Sequence, residues 1–259
     1  MQLSAVDIER FHRDGFLILP GLFSAAEVGR LKARLPALFA EQCPENYREK
    51  LSKDVRSAFA LHRRDPLFAS IASHPRLLGP ARQILGEDFY MQQAKVNVKA
   101  PFTGEAFQWH YDFATHHRGD GVPRPLALNL HVFLDEVTQF NGPLIFIPGS
   151  HRQGEAPVSL DETTTSYPLW TVDNDAVARL VAEGGMFAAT APAGTGVIFG
   201  DLMVHCSPPN FSPSPRSIYS SLVNPLSNAF TSLSRQPFQH ERDLTPLRPL
   251  ADDCLLAAA

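Results

Sequence analysis

At 259 residues, with 44% hydrophobic and 19% charged side chains, the chain has a globular composition that excludes intrinsic disorder. A formal net charge of −4 argues against a broad nucleic-acid or anionic-membrane surface, while leaving room for a local basic pocket. No apolar run approaches the roughly 18 residues of a membrane span, and the start lacks a secretion signal's basic stretch and apolar core, so a cytoplasmic location is expected.

Ser4 to Asp14 reads as a short helix, with Val6, Ile8 and Phe11 near helical spacing and Gly15 after its end. Phe16 to Leu19 reads as a strand stopped by Pro20-Gly21. Ser24-Ala25-Ala26-Glu27 is a capping box, and the helix it opens carries Val28, Leu31, Leu35 and Leu38 on one face. A second helical stretch starts at Asp65, which caps Pro66 in the first helical position, and runs brokenly through Pro75 and Pro80 to Gly86. After Glu87 the period changes from helical to alternating. Residues 89–99 read as a strand, and 107–113, 126–134, 144–147, 195–199 and 217–223 are further candidates. Residues 152–182 form the longest irregular stretch, a length that points to a functional or mobile loop. The 22 prolines and 16 glycines fit many short strands better than a helical bundle. Cys43, Cys206 and Cys254 are widely spaced with no C-x-x-C, so they read as buried or incidental thiols. No repeat or linker divides the chain. A single α+β domain over 1–259 is expected, mainly β, helical over about 1–86 with its core over about 87–228.

The sharpest chemical signal is Trp109-His110-Tyr111-Asp112. Side chains at i and i+2 of a strand leave the same face, so His110 and Asp112 are expected to point together into a barrel interior. His205, directly after an apolar strand, is the candidate third ligand. Two His and one carboxylate leave three sites of an octahedral ion open, an arrangement suited to non-haem Fe(II) oxygen chemistry. H-x-D alone is common by chance. Arg216, eleven residues after His205, makes chance much less plausible, because its planar fork pairs two-on-two with a carboxylate.

The sequence resembles the phytanoyl-CoA dioxygenase family of Fe(II)/2-oxoglutarate oxygenases, within it the branch holding ectoine hydroxylase and bacterial proline 4-hydroxylase. The resemblance runs from about Val55 to Asn228. It rests on Val55-Arg56-Ser57, His74-Pro75-Arg76-Leu77-Leu78-Gly79-Pro80, Gln93 through Asn97 to Lys99, Trp109 to Phe113, Asp120-Gly121, Asn141-Gly142-Pro143-Leu144, Pro148-Gly149-Ser150-His151 and Ser212 to Arg216. The resemblance implies a double-stranded β-helix, the cupin-like jelly roll. It implies Fe(II) on His110, Asp112 and His205, and 2-oxoglutarate on Arg216 and Ser207, with Asn97 and Asn129 lining the same pocket. Gln93 falls where the branch contacts its prime substrate. O₂ is the second cosubstrate, and succinate and CO₂ leave. His62, His74, His131 and His151 lack a partner pattern and read as structural.

The sequence departs from the branch where substrate is expected. His116 stands at a Trp position and Ser220 at a Phe position of ectoine hydroxylases, which makes the pocket larger and more polar. The expected substrate is therefore a small polar zwitterion, a free amino or imino acid, met by Gln93, His116 and Ser220, with ectoine a poor substrate. Asp112 argues for hydroxylation over halogenation, which vacates the carboxylate position. Desaturation or cyclisation of a natural-product intermediate is the enzymatic alternative; a non-catalytic metal-binding cupin and a zinc hydrolase are more distant. The expected partners are the small molecule and a second copy of the chain in a homodimer, with no nucleic acid and no membrane.

Overall fold

The computed structural model describes residues 1–164 and 167–257. The chain opens with helix α1 (Ala5–Asp14), strand β1 (Phe16–Leu19) and helix α2 (Ala25–Ala40). A hairpin of β2 (Asn46–Arg48) and β3 (Val55–Phe59) follows, then helices α3 (Leu61–Arg64), α4 (Pro66–Ala72) and α5 (Pro75–Leu85). The β-rich part runs β4 (Phe89–Lys99), β5 (Phe107–His110), helix α6 (Asp112–Asp120), β6 (Leu128–Phe133) and β7 (Leu144–Phe146). It continues through β8 (Val158–Asp161), β9 (Leu169–Val172), helix α7 (Asn174–Gly184), β10 (Phe187–Ala189), β11 (Gly196–Gly200), β12 (His205–Ser207) and β13 (Arg216–Pro225). Helix α8 (Cys254–Ala257) ends the described chain.

The strands build a seven-stranded sheet in the order β1-β11-β6-β13-β4-β3-β2 and a four-stranded sheet in the order β10-β7-β12-β5, with antiparallel pairings. They are the two walls of a double-stranded β-helix. Alternation along the strands decides what faces where. On the large sheet, Val96, Val98, Leu130, Val132, Tyr219 and Val223 point outward and pack with Leu31, Leu35, Phe68 and Leu78 of the helices. A second apolar cluster fills one end of the space between the sheets, from Phe133, Phe199 and Ile218 on one wall to Leu144 and Phe146 on the other. Many of the residues left to face the interior beyond that plug are polar, and with apolar neighbours such as Phe107 and Leu169 they form the site.

The N-terminal capping signals appear as read. Ser24 Oγ accepts from the Glu27 amide at 3.3 Å while Glu27 Oε2 accepts from the Ser24 amide at 2.7 Å. Asp65 Oδ1 caps α4 by accepting from Leu67 and Phe68. Ser24→Ala is expected to cost about 1 kcal/mol, read as a lower urea midpoint with an unchanged slope.

Three expectations need correction. The strand expected over 107–113 ends at His110, and Asp112 opens α6 instead. A carboxylate in a helix's first turn is favoured by the unpaired amides and the dipole there, and this local preference overrides the alternation of the preceding strand. The stretch 152–182 is not irregular: it holds the β8–β9 hairpin and the start of α7, whose Ala176 and Val177 are buried. Residues 165 and 166 of that stretch lie outside the described residues. The segment after Asn228, for which no element was expected, returns across the molecule: Leu247 bonds to Phe89, and α8 packs against α4 and α2. Among the described residues, no helix is long and apolar enough to cross a membrane.

Candidate active site

His110 and His205 are cross-strand partners in the β5–β12 pairing, so their rings meet with centroids 4.2 Å apart. Asp112 reaches the same point from the first turn of α6. His110 Nδ1 lies 2.6 Å from the Gln108 carbonyl, and His205 Nδ1 lies 2.9 Å from the Met203 carbonyl. A carbonyl only accepts, so each Nδ1 carries the proton and each Nε2 presents a lone pair to the cavity. Asp112 Oδ2 accepts from Asn129 Nδ2 at 2.8 Å, while Oδ1 faces His110 Nε2 at 3.8 Å. One donor atom from each of the three lies within 4.8 Å of the others, close enough to share one ion. Burial, reinforced by the neighbouring His205, pushes His110 down to about 3. Burial alone would raise the Asp112 carboxyl, but the facing His205 and His110, then His116 and Lys95, hold it below the ordinary carboxylate range. Neutral imidazole beside ionised carboxylate is the state in which such groups ligate a metal.

The opposite wall is the inward face of the large sheet. Register sets it in rows: Lys99 opposite Arg216, Lys95 opposite Ser220 and Ser220 opposite His131, then Gln93 and Asn129 flanking Leu222. Arg216 is 2% exposed, and its Nη2 donates to Ser207 Oγ at 3.0 Å. Its Nε has no hydrogen-bond partner among the described residues. Burial, then the nearby Arg56 charge, pushes Arg216 down to about 9. Lys99 Nζ donates to the carbonyls of Glu105 and Ser207, at 2.5 and 3.3 Å, and burial and Arg216 pull its pKa down too. Gly142, at φ +81, leaves room for that lysine, because a Cβ there would strike the Lys99 side chain. Asn97 faces the same cavity and accepts from Ser57 Oγ at 2.8 Å. Here is a cationic recess without an anion of its own at Arg216.

Gln93, His116 and Ser220 line the same cavity as the three donors and Arg216. Their polar atoms are not all waiting for a ligand, as the sequence suggested. Gln93 Nε2 donates to the Gln239 carbonyl at 2.5 Å, His116 Nδ1 lies 3.0 Å from Asp201 Oδ1, and Ser220 Oγ lies 2.9 Å from His131 Nε2. His131, read as structural, is a cavity residue, and burial pushes it down to about 3. Sequence reasoning also missed Lys95, Arg235 and Gln239, all on the cavity wall. Lys95 was findable, since it alternates with Gln93 and Asn97 along β4. Arg235 and Gln239 carry no local signal. They are brought in when Arg235 pairs with the fully buried Asp120 of α6, which also meets His240 Nδ1 at 2.8 Å.

Residues 11–218 match the profile of the family described as Phytanoyl-CoA dioxygenase (PhyH). The chain belongs to this family. As a dioxygenase it has curated relatives of similar length. It is 36% identical to the ectoine dioxygenase of Stutzerimonas stutzeri (strain A1501), over 88% of this chain and 78% of that one. It is also 36% identical to the L-proline trans-4-hydroxylase of Streptomyces griseoviridis, over 95% of this dioxygenase and 96% of the relative. Among solved structures it resembles EctD from S. alaskensis with 2-oxoglutarate and 5-hydroxyectoine, at TM-score 0.85 and 33% identity, covering 96% of this chain and 87% of that one. EctD with bound Fe gives TM-score 0.84, with the same identity and coverage.

Proposed function

We propose that this dioxygenase uses Fe(II) and 2-oxoglutarate to hydroxylate an unactivated C–H of a small polar zwitterion, a free amino or imino acid. The observation that carries this reading is the buried Arg216, without a carboxylate partner of its own, opening onto the cavity into which His110, Asp112 and His205 turn their donor atoms. Two nitrogens and one oxygen suit Fe(II) with coordination sites to spare. Arg216, with Ser207, would take the far carboxylate of 2-oxoglutarate, and Asn97 and Asn129 would line its path. Bound Fe(II) supplies O₂ activation coupled to the conversion of 2-oxoglutarate into succinate and CO₂. The protein's own work is to hold the donors, orient the substrate's C–H and exclude water. We read the described chain as one catalytic unit, since its C-terminal segment supplies cavity wall through Arg235 and Gln239.

Lys95 gives the wall a cation suited to a substrate carboxylate, beside Arg235, whose charge Asp120 already meets. Ectoine and L-proline, for which two of the relatives are named, are both small zwitterions. Ectoine itself is a second reading, favoured by overall likeness to the ectoine dioxygenases. His116 and Ser220 favour a more polar partner. The test is a panel of free amino acids, cyclic imino acids and ectoine, scored by gain of one oxygen in mass and by succinate released per product. Turnover of none of them, with succinate released only on another substrate class, would reject the zwitterion.

Asn129 fixes which Asp112 oxygen is left for the metal. Asn129→Ala is expected to weaken Fe(II) retention about 10- to 100-fold, measured by metal titration under anaerobic conditions, with little change in folding midpoint.

A further inference from the structure

The pair formed by His116 and Asp201 lies outside the metal ligands and outside the Arg216 recess. His116 is 4% exposed and Asp201 1% exposed. Their contact is 3.0 Å, from His116 Nδ1 to Asp201 Oδ1. His116 stands four residues after Asp112 on α6, one turn away and on the same face, so both side chains reach one cavity about 6 Å apart along the helix axis. Asp201 sits in the turn after β11, and its carbonyl accepts from the Phe113 amide at 3.1 Å, which ties that turn to the start of α6. The His116 ring is thus fixed from behind.

The wiring of the ring is informative. Asp201 Oδ2 has no hydrogen-bond partner among the described residues, so His116 is the group that meets this buried carboxylate. Burial raises the Asp201 carboxyl and the facing His116 opposes that shift; with the carboxyl ionised it accepts, and the imidazole proton lies on Nδ1. Nε2 then carries a lone pair, on a ring that lines the cavity. His74, by contrast, has both ring nitrogens paired, Nδ1 to the Arg76 amide and Nε2 to the Asp252 carbonyl. Cations stand elsewhere on the wall, at Lys95 and Arg235. The cavity therefore offers Lys95 for an anionic group and, at His116, an acceptor backed by Asp201.

We propose that His116, positioned by Asp201, accepts a hydrogen bond from the protonated nitrogen of the substrate and is the residue that selects amino and imino acids over their nitrogen-free analogues. This rests on the zwitterion reading above and names the group that reads one end of it. Asp201 acts through His116, holding the proton on Nδ1 and balancing the substrate's positive charge across the ring. The one-turn spacing from Asp112 sets His116 beside the three donor residues on the same cavity wall.

The test compares matched probes on the Fe(II)- and 2-oxoglutarate-loaded enzyme without oxygen, by calorimetry: L-proline against cyclopentanecarboxylate, and L-leucine against 4-methylpentanoate. For at least one pair, the wild type is expected to bind the amine-bearing member tenfold or more tightly than its partner. His116→Phe, which keeps an aromatic ring and loses the acceptor, is expected to bring that ratio below threefold. His116→Gln can still donate toward Asp201 and accept from the cavity, and is expected to keep most of the ratio. Asp201→Asn, whose amide can donate to Nδ1 and move the imidazole proton to Nε2, is expected to lower the ratio while 2-oxoglutarate affinity stays within twofold. A ratio unchanged in both His116→Phe and Asp201→Asn overturns the inference and leaves the zwitterion reading standing. Should His116→Phe not fold, an unchanged ratio in Asp201→Asn overturns it alone. If the wild type binds neither amine and turns over only substrates without a protonated nitrogen, the zwitterion reading fails and the inference falls with it.

Discussion

Replacing His110, Asp112 or His205 with alanine is expected to lower turnover by about a thousandfold or more, because three protein donors are the fewest that define this site. The loss is expected to track metal rather than folding. His110 and His205 are held by hydrogen bonds to the Gln108 and Met203 carbonyls, contacts local to their own strands, so truncation removes a ligand without unpicking the sheets. Asp112→Ala carries an added penalty, since Asn129 Nδ2 then loses its acceptor, worth roughly 1–3 kcal/mol where the amide stays dry. Bound iron after anaerobic reconstitution, measured beside the thermal midpoint, separates the two effects. Cys206→Ser is the control: burial pushes that thiol up to about 12, so it is not a thiolate at neutral pH and is expected to be dispensable. Full activity in any of the three ligand variants would sink the assignment.

The expectation that His110 and Asp112 share a face came from strand alternation, and the two do meet, but for a different reason. The strand stops at His110, and the carboxylate arrives from the opening turn of α6. That helix then carries His116 on the same face at i+4, a relation that a strand reading cannot contain. Residues of the large sheet were more legible, because alternation holds along β4, β6 and β13 and sends Gln93, Asn97, Asn129, Arg216 and Ser220 inward together. Asp201 and Arg235 were missed for a shared physical cause. Asp201 joins His116 across 85 residues of sequence, and Arg235 joins Asp120 across 115. Both come from a turn or an irregular segment, where no period predicts direction. The α7 helix was hidden by its polar flanks, with only Ala176 and Val177 of its apolar residues buried.

Arg216→Ala is expected to raise the KM for 2-oxoglutarate at least tens-fold, with a smaller effect on kcat once the cosubstrate saturates. Arg216 is a buried cation whose Nε has no partner among the described residues and whose Nη2 donates to a hydroxyl, Ser207 Oγ, rather than to a carboxylate. Burial and the Arg56 charge push its pKa down, against the opposing pull of Asp135. A dicarboxylate entering the recess relieves that cost and forms charge-assisted bonds in a site mostly free of water. Truncating one member of such a buried pair costs roughly 2–5 kcal/mol, about thirtyfold to several thousandfold in affinity. Arg216→Lys is expected to recover only part of the loss, because an ammonium cannot reproduce the two-pronged geometry. The alanine variant leaves Lys99 in place, with Nζ bonded to the Glu105 and Ser207 carbonyls. Residual binding is therefore expected to be weak and more sensitive to salt. An unchanged KM in both variants would mean that the cosubstrate is held elsewhere, and with it the reading of this recess would fail.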